Sequence, residues 1–238
     1  MDREGPRGWA APLHAAVLEA TAVGPATTLL DLGCGTGQFA RAAIDRGARV
    51  TGIDLDPAAV ARATAAVPEG VFAVGDAREP PSGPFDVVAA LQLLMHVADP
   101  FAVLDAAARA GAAVAATVWG REEECAIRVF GEALAPWLGP RPPSGPSITE
   151  PARLFAVAEQ AGLNVERVDE VVCAFSYADE DELLGPVFDS ALGRAVGRRA
   201  GPVALREAVL ERLEPYRTTP GGYRLENVLR VLVAHRHG

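Results

Sequence analysis

Three aspartates close three successive apolar runs, and the chemistry open to them there is to accept hydrogen bonds from a ligand. Asp31 lies in Thr28–Leu32, Asp54 ends Arg49–Asp54, and Asp76 follows Val71–Val74, each at or just past a run that reads as a buried strand. A carboxylate so placed accepts from hydroxyl or amino groups and offsets positive charge. Asp31 is followed at once by Gly33, Gly35 and Gly37. Alternating glycines let the backbone turn sharply and let a ligand approach it without meeting side chains. Strand, glycine loop and helix together build a nucleotide-shaped pocket at the carboxyl edge of an α/β sheet. His96 follows a fourth apolar run on the same side. As a neutral imidazole it could take a proton from a hydroxyl or amine nucleophile; the competing reading is a histidine that merely opens a helix. His14 is a weaker candidate for the same task, and His235 and His237 fall in the tail.

The elements that must position these groups alternate between strand and helix. An amphipathic helix is expected over residues 9–22, with Pro12 in its first turn. Strands are expected at Thr28–Leu32, Arg49–Asp54, Val71–Val74, Asp86–Leu91 and Ala112–Val118. Helices fall between them: Gln38 to about Arg46, stopped by Gly47, then Pro57 to near Val67, then Pro100 to about Arg109. Asp56-Pro57 and Asp99-Pro100 each pair an N-cap with a proline at the first helical position, so these aspartates read as caps rather than ligands. Short loops in a βαβαβ order imply a parallel, doubly wound sheet. Beyond Gly120 the spacing predicts one helix over residues 122–138, with Ile127, Phe130, Leu134 and Trp137 on a stripe. A proline-rich loop spans Gly139–Pro146, a helix Glu150–Ala161 and a strand roughly Val165–Phe175. Asp179 with Glu182 resembles a capping box that starts a further helix, and Pro202 begins another that ends near Pro215. A strand-like run, Val228–Val233, closes the chain.

Two ligands compete for the glycine loop. Gly35, Gly37 and Ala40 can be set on the G-x-G-x-x-G/A pattern of a nicotinamide or flavin site, with Asp54 on the ribose. Asp31 argues against that, because a carboxylate beside a pyrophosphate sets like charges together. A ligand carrying an ammonium and a sulfonium, such as S-adenosylmethionine (SAM), suits the same carboxylate. Asp31–Gly37, reading DLGCGTG, closely resembles motif I of class I SAM-dependent methyltransferases. The resemblance continues in order through VTGIDLD at Val50–Asp56, VGDAREPP at Val74–Pro81 and FDVVAALQLLMHVADP at Phe85–Pro100. It is good from Thr28 to about Gly120, and beyond that the tail is similar only to a broad set of bacterial small-molecule methyltransferases. One departure is Arg109-Ala110-Gly111, shorter than the family's turn before strand five.

The resemblance implies a Rossmann-like, seven-stranded, mostly parallel sheet with an additional helical cap. It implies one domain over residues 1–238: an N-terminal helical segment at 1–24, a SAM-binding core at 25–120, and late strands at 121–238 with a substrate cap near 178–215. The implied cofactor residues are Asp31, Gly33, Cys34, Gly35 and Gly37, then Asp54 on the ribose hydroxyls with Leu55 beside it, Asp76 on the adenine amino group, the Ala77 backbone N–H, and Leu91 and Gln92 beside the methionine. Cys34 itself reads as a small packed residue, with no base or resolving cysteine near it in sequence. The implied reaction is methyl transfer to a small organic acceptor at O, N or C, such as a secondary metabolite or quinone-like intermediate, leaving S-adenosylhomocysteine. His96 is the candidate base. A SAM-binding protein that uses the fold as a sensor or for another reaction shares the same motifs, and a nicotinamide-dependent oxidoreductase is the third alternative.

Composition limits the partners. The 238 residues carry 22 basic and 31 acidic side chains, a net charge of -9, which disfavours a nucleic-acid backbone as the main partner. No N-P-P-Y-like run follows Leu91, which disfavours methylation of base amines. Cys34, Cys125 and Cys173 are too widely spaced for a metal pattern or a disulfide framework. No leader and no membrane span are expected, so the reading is a cytoplasmic monomer or homodimer without a metal.

Overall fold

The computed structural model describes residues 5–139 and 147–236, so all but one residue of the loop expected at Gly139–Pro146 lies outside the described residues. The strands are β1 Thr28–Leu32, β2 Arg49–Asp54, β3 Val71–Val74, β4 Phe85–Leu91, β5 Gly111–Trp119, β6 Leu163–Tyr177 and β7 Tyr223–Arg236. They form one seven-stranded sheet in the order β3-β2-β1-β4-β5-β7-β6. The pairs β1·β2, β1·β4, β2·β3 and β4·β5 are parallel, while β7 lies antiparallel to β5, with Ala113 opposite His235 and Trp119 opposite Leu229. The expected α/β, mostly parallel, Rossmann-like sheet is therefore present. Its order reverses between β1 and β4, and at such a reversal the carboxyl ends of two adjacent strands open a crevice.

Chain contacts divide the molecule into two compact units. The larger comprises Ala11–Trp119, Pro146–Val171 and Leu229–Gly238. It holds α1 Ala11–Ala20, α2 Gln38–Ile44, α3 Pro57–Ala66, α4 Pro100–Ala110 and α6 Pro151–Gln160. Leu30, Leu32, Val88, Ala90, Val114 and Ala116 of the central strands are wholly buried with Val103, Leu104 and Ala107 of α4 and Leu154 and Ala158 of α6. Strands buried on both faces explain why their sequences are continuous apolar runs rather than alternating ones. The caps follow the sequence: Asp56 accepts from the Ala58 N–H and Asp99 from the Ala102 N–H, each before a proline. The short Arg109-Ala110-Gly111 junction takes no loop at all, since α4 ends at Ala110 and β5 begins at Gly111. One reading fails here. β3 is an exposed edge strand, with Val71 65% and Val74 56% exposed, because nothing pairs with its outer side among the described residues.

The smaller unit comprises Met1–Ala10, Gly120–Gly145 and Val172–Val228. It contains α5 Arg128–Leu134, α7 Glu180–Asp189, α8 Ala191–Ala200 and α9 Pro202–Leu213, with α5 packed on α9. The single helix expected over residues 122–138 is instead a 3-10 turn at Glu122–Glu124, then α5, then a second 3-10 turn at Ala135–Trp137. Cys125 bridges to Asn227 as extended backbone, and the buried Asn227 Oδ1 accepts from the Ile127 N–H, so the helix cannot start before this point. Pro136 then breaks it at the far end. The buried residues of α5 are Val129, Ala133 and Leu134, so of the expected stripe only Leu134 is buried there. The capping box at Asp179 is displaced by one residue: Asp179 accepts from the Glu182 N–H, but Glu182 Oε2 accepts from the Ala178 N–H. The break between α7 and α8 has no counterpart in the sequence reading. Ser190 caps α8 on the Gly193 N–H, and a Cβ at Gly193 would lie 1.8 Å from the Val187 carbonyl oxygen, so the turn needs a glycine there. Among the described residues no helix is long and apolar enough to cross a membrane, and no cluster of three His, Cys, Asp or Glu could hold a metal ion.

Candidate cofactor site

The glycine loop leaves β1 at the reversal of strand order. Gly33, Gly35 and Gly37 all take positive φ, at 73°, 53° and 84°. The Gly33 and Cys34 N–H groups both donate to the Ile53 carbonyl of β2, at 2.8 and 2.9 Å, and the Gly37 N–H donates to the Cys34 carbonyl at 2.9 Å. Asp54 completes the clamp. Its Oδ2 accepts from the Gly35 N–H at 3.0 Å and its Oδ1 from the Asp56 N–H at 2.9 Å. The half-buried residue therefore ties the loop after β1 to the turn after β2, while each oxygen keeps a second acceptor position for a ligand hydroxyl.

Asp31 sits deeper. It lies in β1 between β2 and β4, only 2% exposed, and its Oδ2 has no hydrogen-bond partner among the described residues. Burial, and after it the charge of Asp54, pushes its pKa up from 3.8 to about 7. A buried carboxylate oxygen without a donor is costly, so it points to a ligand that brings one. The ammonium of SAM supplies both a donor and the opposite charge; a pyrophosphate would add to the repulsion. Cys34, beside these two carboxylates, is buried, and burial followed by their negative charges pushes its thiol well above the usual range. It stays protonated and is no nucleophile, in keeping with its reading as a packed residue.

The site residues near β3 differ. Asp76 is half-buried, and its carboxylate is engaged by Arg78: Nε lies 3.0 Å from Oδ1 and 3.1 Å from Oδ2, and Nη2 lies 2.5 Å from Oδ2. The side-chain hydrogen bonds from Arg78 pull the Asp76 pKa down to about 2. Ala77 is buried and Leu55 is 68% exposed.

On the other side of the reversal, Leu91 ends β4 and is half-buried. Gln92 then turns with φ 53°, a left-handed conformation unusual for a residue with a side chain. Its N–H donates to Thr117 Oγ1 at 2.9 Å and to the Thr117 carbonyl at 3.2 Å. Leu93 follows, and a Cβ at Gly33 would stand 2.9 Å from its Cδ1, so the two turns meet closely. His96 is exposed at the end of a 3-10 turn over Leu94–His96. His14 packs edge-on to Phe39 with ring centroids 5.5 Å apart, and burial lowers its pKa to about 4, so it is held neutral.

Asp31, the three glycines, Cys34 and Asp54 thus form one constellation, with Leu91 and Gln92 on the neighbouring strand end. Sequence reasoning missed Arg78, Leu93 and Thr117. Arg78 was signalled by its spacing of two from Asp76, and Thr117 by being the one hydroxyl in the apolar run Gly111–Trp119.

Comparison with known proteins bears on the same segment of the chain. Residues 30–112 match the family model described as a methyltransferase domain. The chain is 34% identical over 153 residues to a ubiquinone biosynthesis O-methyltransferase of Pseudomonas paraeruginosa, an alignment covering 59% of this chain and 66% of that protein, just under two thirds of its length. Among solved structures, magnesium protoporphyrin IX methyltransferase from Synechocystis, with bound S-adenosylhomocysteine (SAH), is similar with a TM-score of 0.58 at 16% identity, over 95% of this chain and 84% of that one. The (4+2)-cyclase SpnF is similar with a TM-score of 0.63 at 23% identity, over 99% of this chain and 84% of that one. At such identities the structural likeness carries the fold alone. Residues 30–112 thus match a methyltransferase domain in sequence, and the chain shares the fold of these solved structures.

Proposed function

We propose that the chain transfers a methyl group from SAM to a hydroxyl of a small organic acceptor. The observation that carries this reading is the buried Asp31 carboxylate, which lacks a donor at Oδ2 among the described residues and stands beside a loop clamped by Asp54. SAM supplies a methyl group already activated by its sulfonium, so the protein has mainly to align the reactants and exclude water. In this reading Asp31 faces the ammonium, Asp54 takes the ribose hydroxyls, and the exposed Leu55 lies against the base. Asp76 and the Ala77 N–H address the edge of the adenine, with Arg78 already holding part of the Asp76 carboxylate. Leu91 and Gln92 border the methionine end.

The relative's name favours oxygen as the atom methylated, and quinone-like intermediates as the acceptor class. A hydroxyl nucleophile must lose its proton, and in this reading His96, exposed at the end of the 3-10 turn after β4, receives it. The net charge of -9 favours a small molecule over nucleic acid. We further read residues 1–238 as one working domain, a monomer or homodimer acting in the cytoplasm, with acceptor choice resting on the helices between Ala178 and Pro215.

Calorimetry with SAM and with NADH tests the cofactor. Binding of SAM in the micromolar range without NADH binding is expected, and the reverse would sink the reading. Incubation with catechol- and hydroquinone-type acceptors, following SAH formation, then tests the reaction. SAM binding without SAH from any acceptor would favour a non-methylating use of the same site. A His96→Ala variant that keeps full turnover and an unchanged pH profile would remove His96 as the base.

A further inference from the structure

We propose that Thr117 of β5 is a positioning residue for the cofactor site, holding Gln92 in its left-handed turn at the carboxyl end of β4. The proposal rests on the reading of that edge as the SAM site. In the β4·β5 pair, Leu91 lies opposite Thr117, and the ladder bond from the Gln92 N–H to the Thr117 carbonyl is long, at 3.2 Å. The Thr117 hydroxyl takes up what the ladder loses. It accepts from the same N–H at 2.9 Å and from Gln92 Nε2 at 3.1 Å. Thr117 is wholly buried, so water cannot replace this acceptor.

The conformation being held is one that a side-chain-bearing residue adopts only at a cost, and it persists where its surroundings over-determine it. The consequence for the site is steric. The turn at Gln92 places Leu93 against Gly33, so a relaxed Gln92 would move Leu93 against the glycine loop. One buried hydroxyl thereby sets the geometry on both sides of the strand reversal. A valine at position 117 would fill the same volume, take the hydroxyl acceptor from the Gln92 side-chain amide, and leave the Gln92 N–H with the long carbonyl bond alone.

Thr117→Val, Thr117→Ser and Gln92→Gly, with the Gln92→Gly/Thr117→Val double variant, decide this. SAH affinity is read by calorimetry, and amide hydrogen exchange over residues 89–95 reads the turn without any ligand. Thr117→Val is expected to weaken SAH binding about tenfold, the worth of a hydrogen bond of ordinary strength, and to speed exchange at Gln92. Thr117→Ser restores both. Because glycine needs no help at positive φ, Thr117→Val costs clearly less in the Gln92→Gly background. Wild-type affinity and exchange in Thr117→Val would overturn the proposal. So would a loss in Thr117→Ser as large as in Thr117→Val, which would make the effect one of packing. If wild-type protein binds no SAH, the cofactor reading fails on that result, while exchange still decides whether the hydroxyl holds the turn.

Discussion

Asp31 and Asp76 are the same residue type near the same edge of one sheet, and their electrostatics are opposite. Asp31 lies in a central strand flanked by β2 and β4, with its pKa raised to about 7 and one oxygen without a donor among the described residues. Asp76 follows the edge strand β3, is gripped by Arg78, and has its pKa drawn down to about 2. Strand order accounts for this difference. A central strand removes water and leaves a carboxylate dependent on whatever enters the crevice, whereas an edge strand admits both water and a neighbouring guanidinium. In the proposed reading the deep carboxylate awaits a cationic ligand group, whereas the shallow one already has a guanidinium partner. Ligand discrimination should therefore be concentrated at β1 and β2 and be weak at β3.

The largest effect is expected between the two extremes, at Asp54. Asp54→Ala removes the acceptor for the Gly35 and Asp56 N–H groups together with the proposed ribose contact. SAM affinity should fall about a hundredfold, and urea unfolding should show a loss of about 1–2 kcal/mol from the freed loop. An unchanged Kd would refute its assigned role.

Asp31→Asn comes next and carries a sign that Asp76 cannot imitate. The amide keeps the shape but drops the charge, so SAM affinity is expected to fall about tenfold while the ligand-free protein gains stability at pH 8, by on the order of 2 kcal/mol. The pH dependence follows from the raised pKa. The native state holds a proton on Asp31 that the unfolded chain has released between about pH 4 and about pH 7. Its contribution to stability is thus fully present below that window and lost as pH rises through about 7. Binding of a ligand ammonium runs the other way, tightening as pH rises to about 7 and then levelling. Denaturant melts and calorimetry from pH 5.5 to 8.5 read both trends, and Asp31→Asn should flatten them. A wild-type affinity independent of pH would show that Asp31 does not meet the cation.

Much of this arrangement was legible in the sequence because its causes are local. The bounds of β1, β2 and β3, the caps at Asp56 and Asp99 and the positive-φ glycines all follow from apolar runs, proline after aspartate, and glycine spacing. What escaped depends on neighbours distant in the chain. That β3 is exposed depends on which strands flank it, and the break in the expected helix over residues 122–138 on Asn227, a hundred residues away. Thr117 meets Gln92 only across the β4·β5 pair. Asp31 could be chosen as a ligand residue from its place before the glycines, but its missing donor is a property of the packed sheet.

The smallest effect is expected at Arg78, and it tests the shallow side directly. The ion pair with Asp76 is exposed on its Arg78 side, which retains 59% of its accessible surface. Pairs of that kind contribute about 0–1 kcal/mol, because water and salt screen them and two long side chains must be held still. Arg78→Ala should leave stability within about 0.5 kcal/mol and change SAM affinity by about twofold at most. The direction should be upward, since Asp76 Oδ2 is then free for the adenine amino group while Oδ1 keeps only the backbone N–H of residue 78. The effect should also shrink between 50 and 500 mM salt, as screening replaces the guanidinium. A tenfold loss would mean that Arg78 itself touches the cofactor, and the edge of the sheet would then discriminate as strongly as its centre.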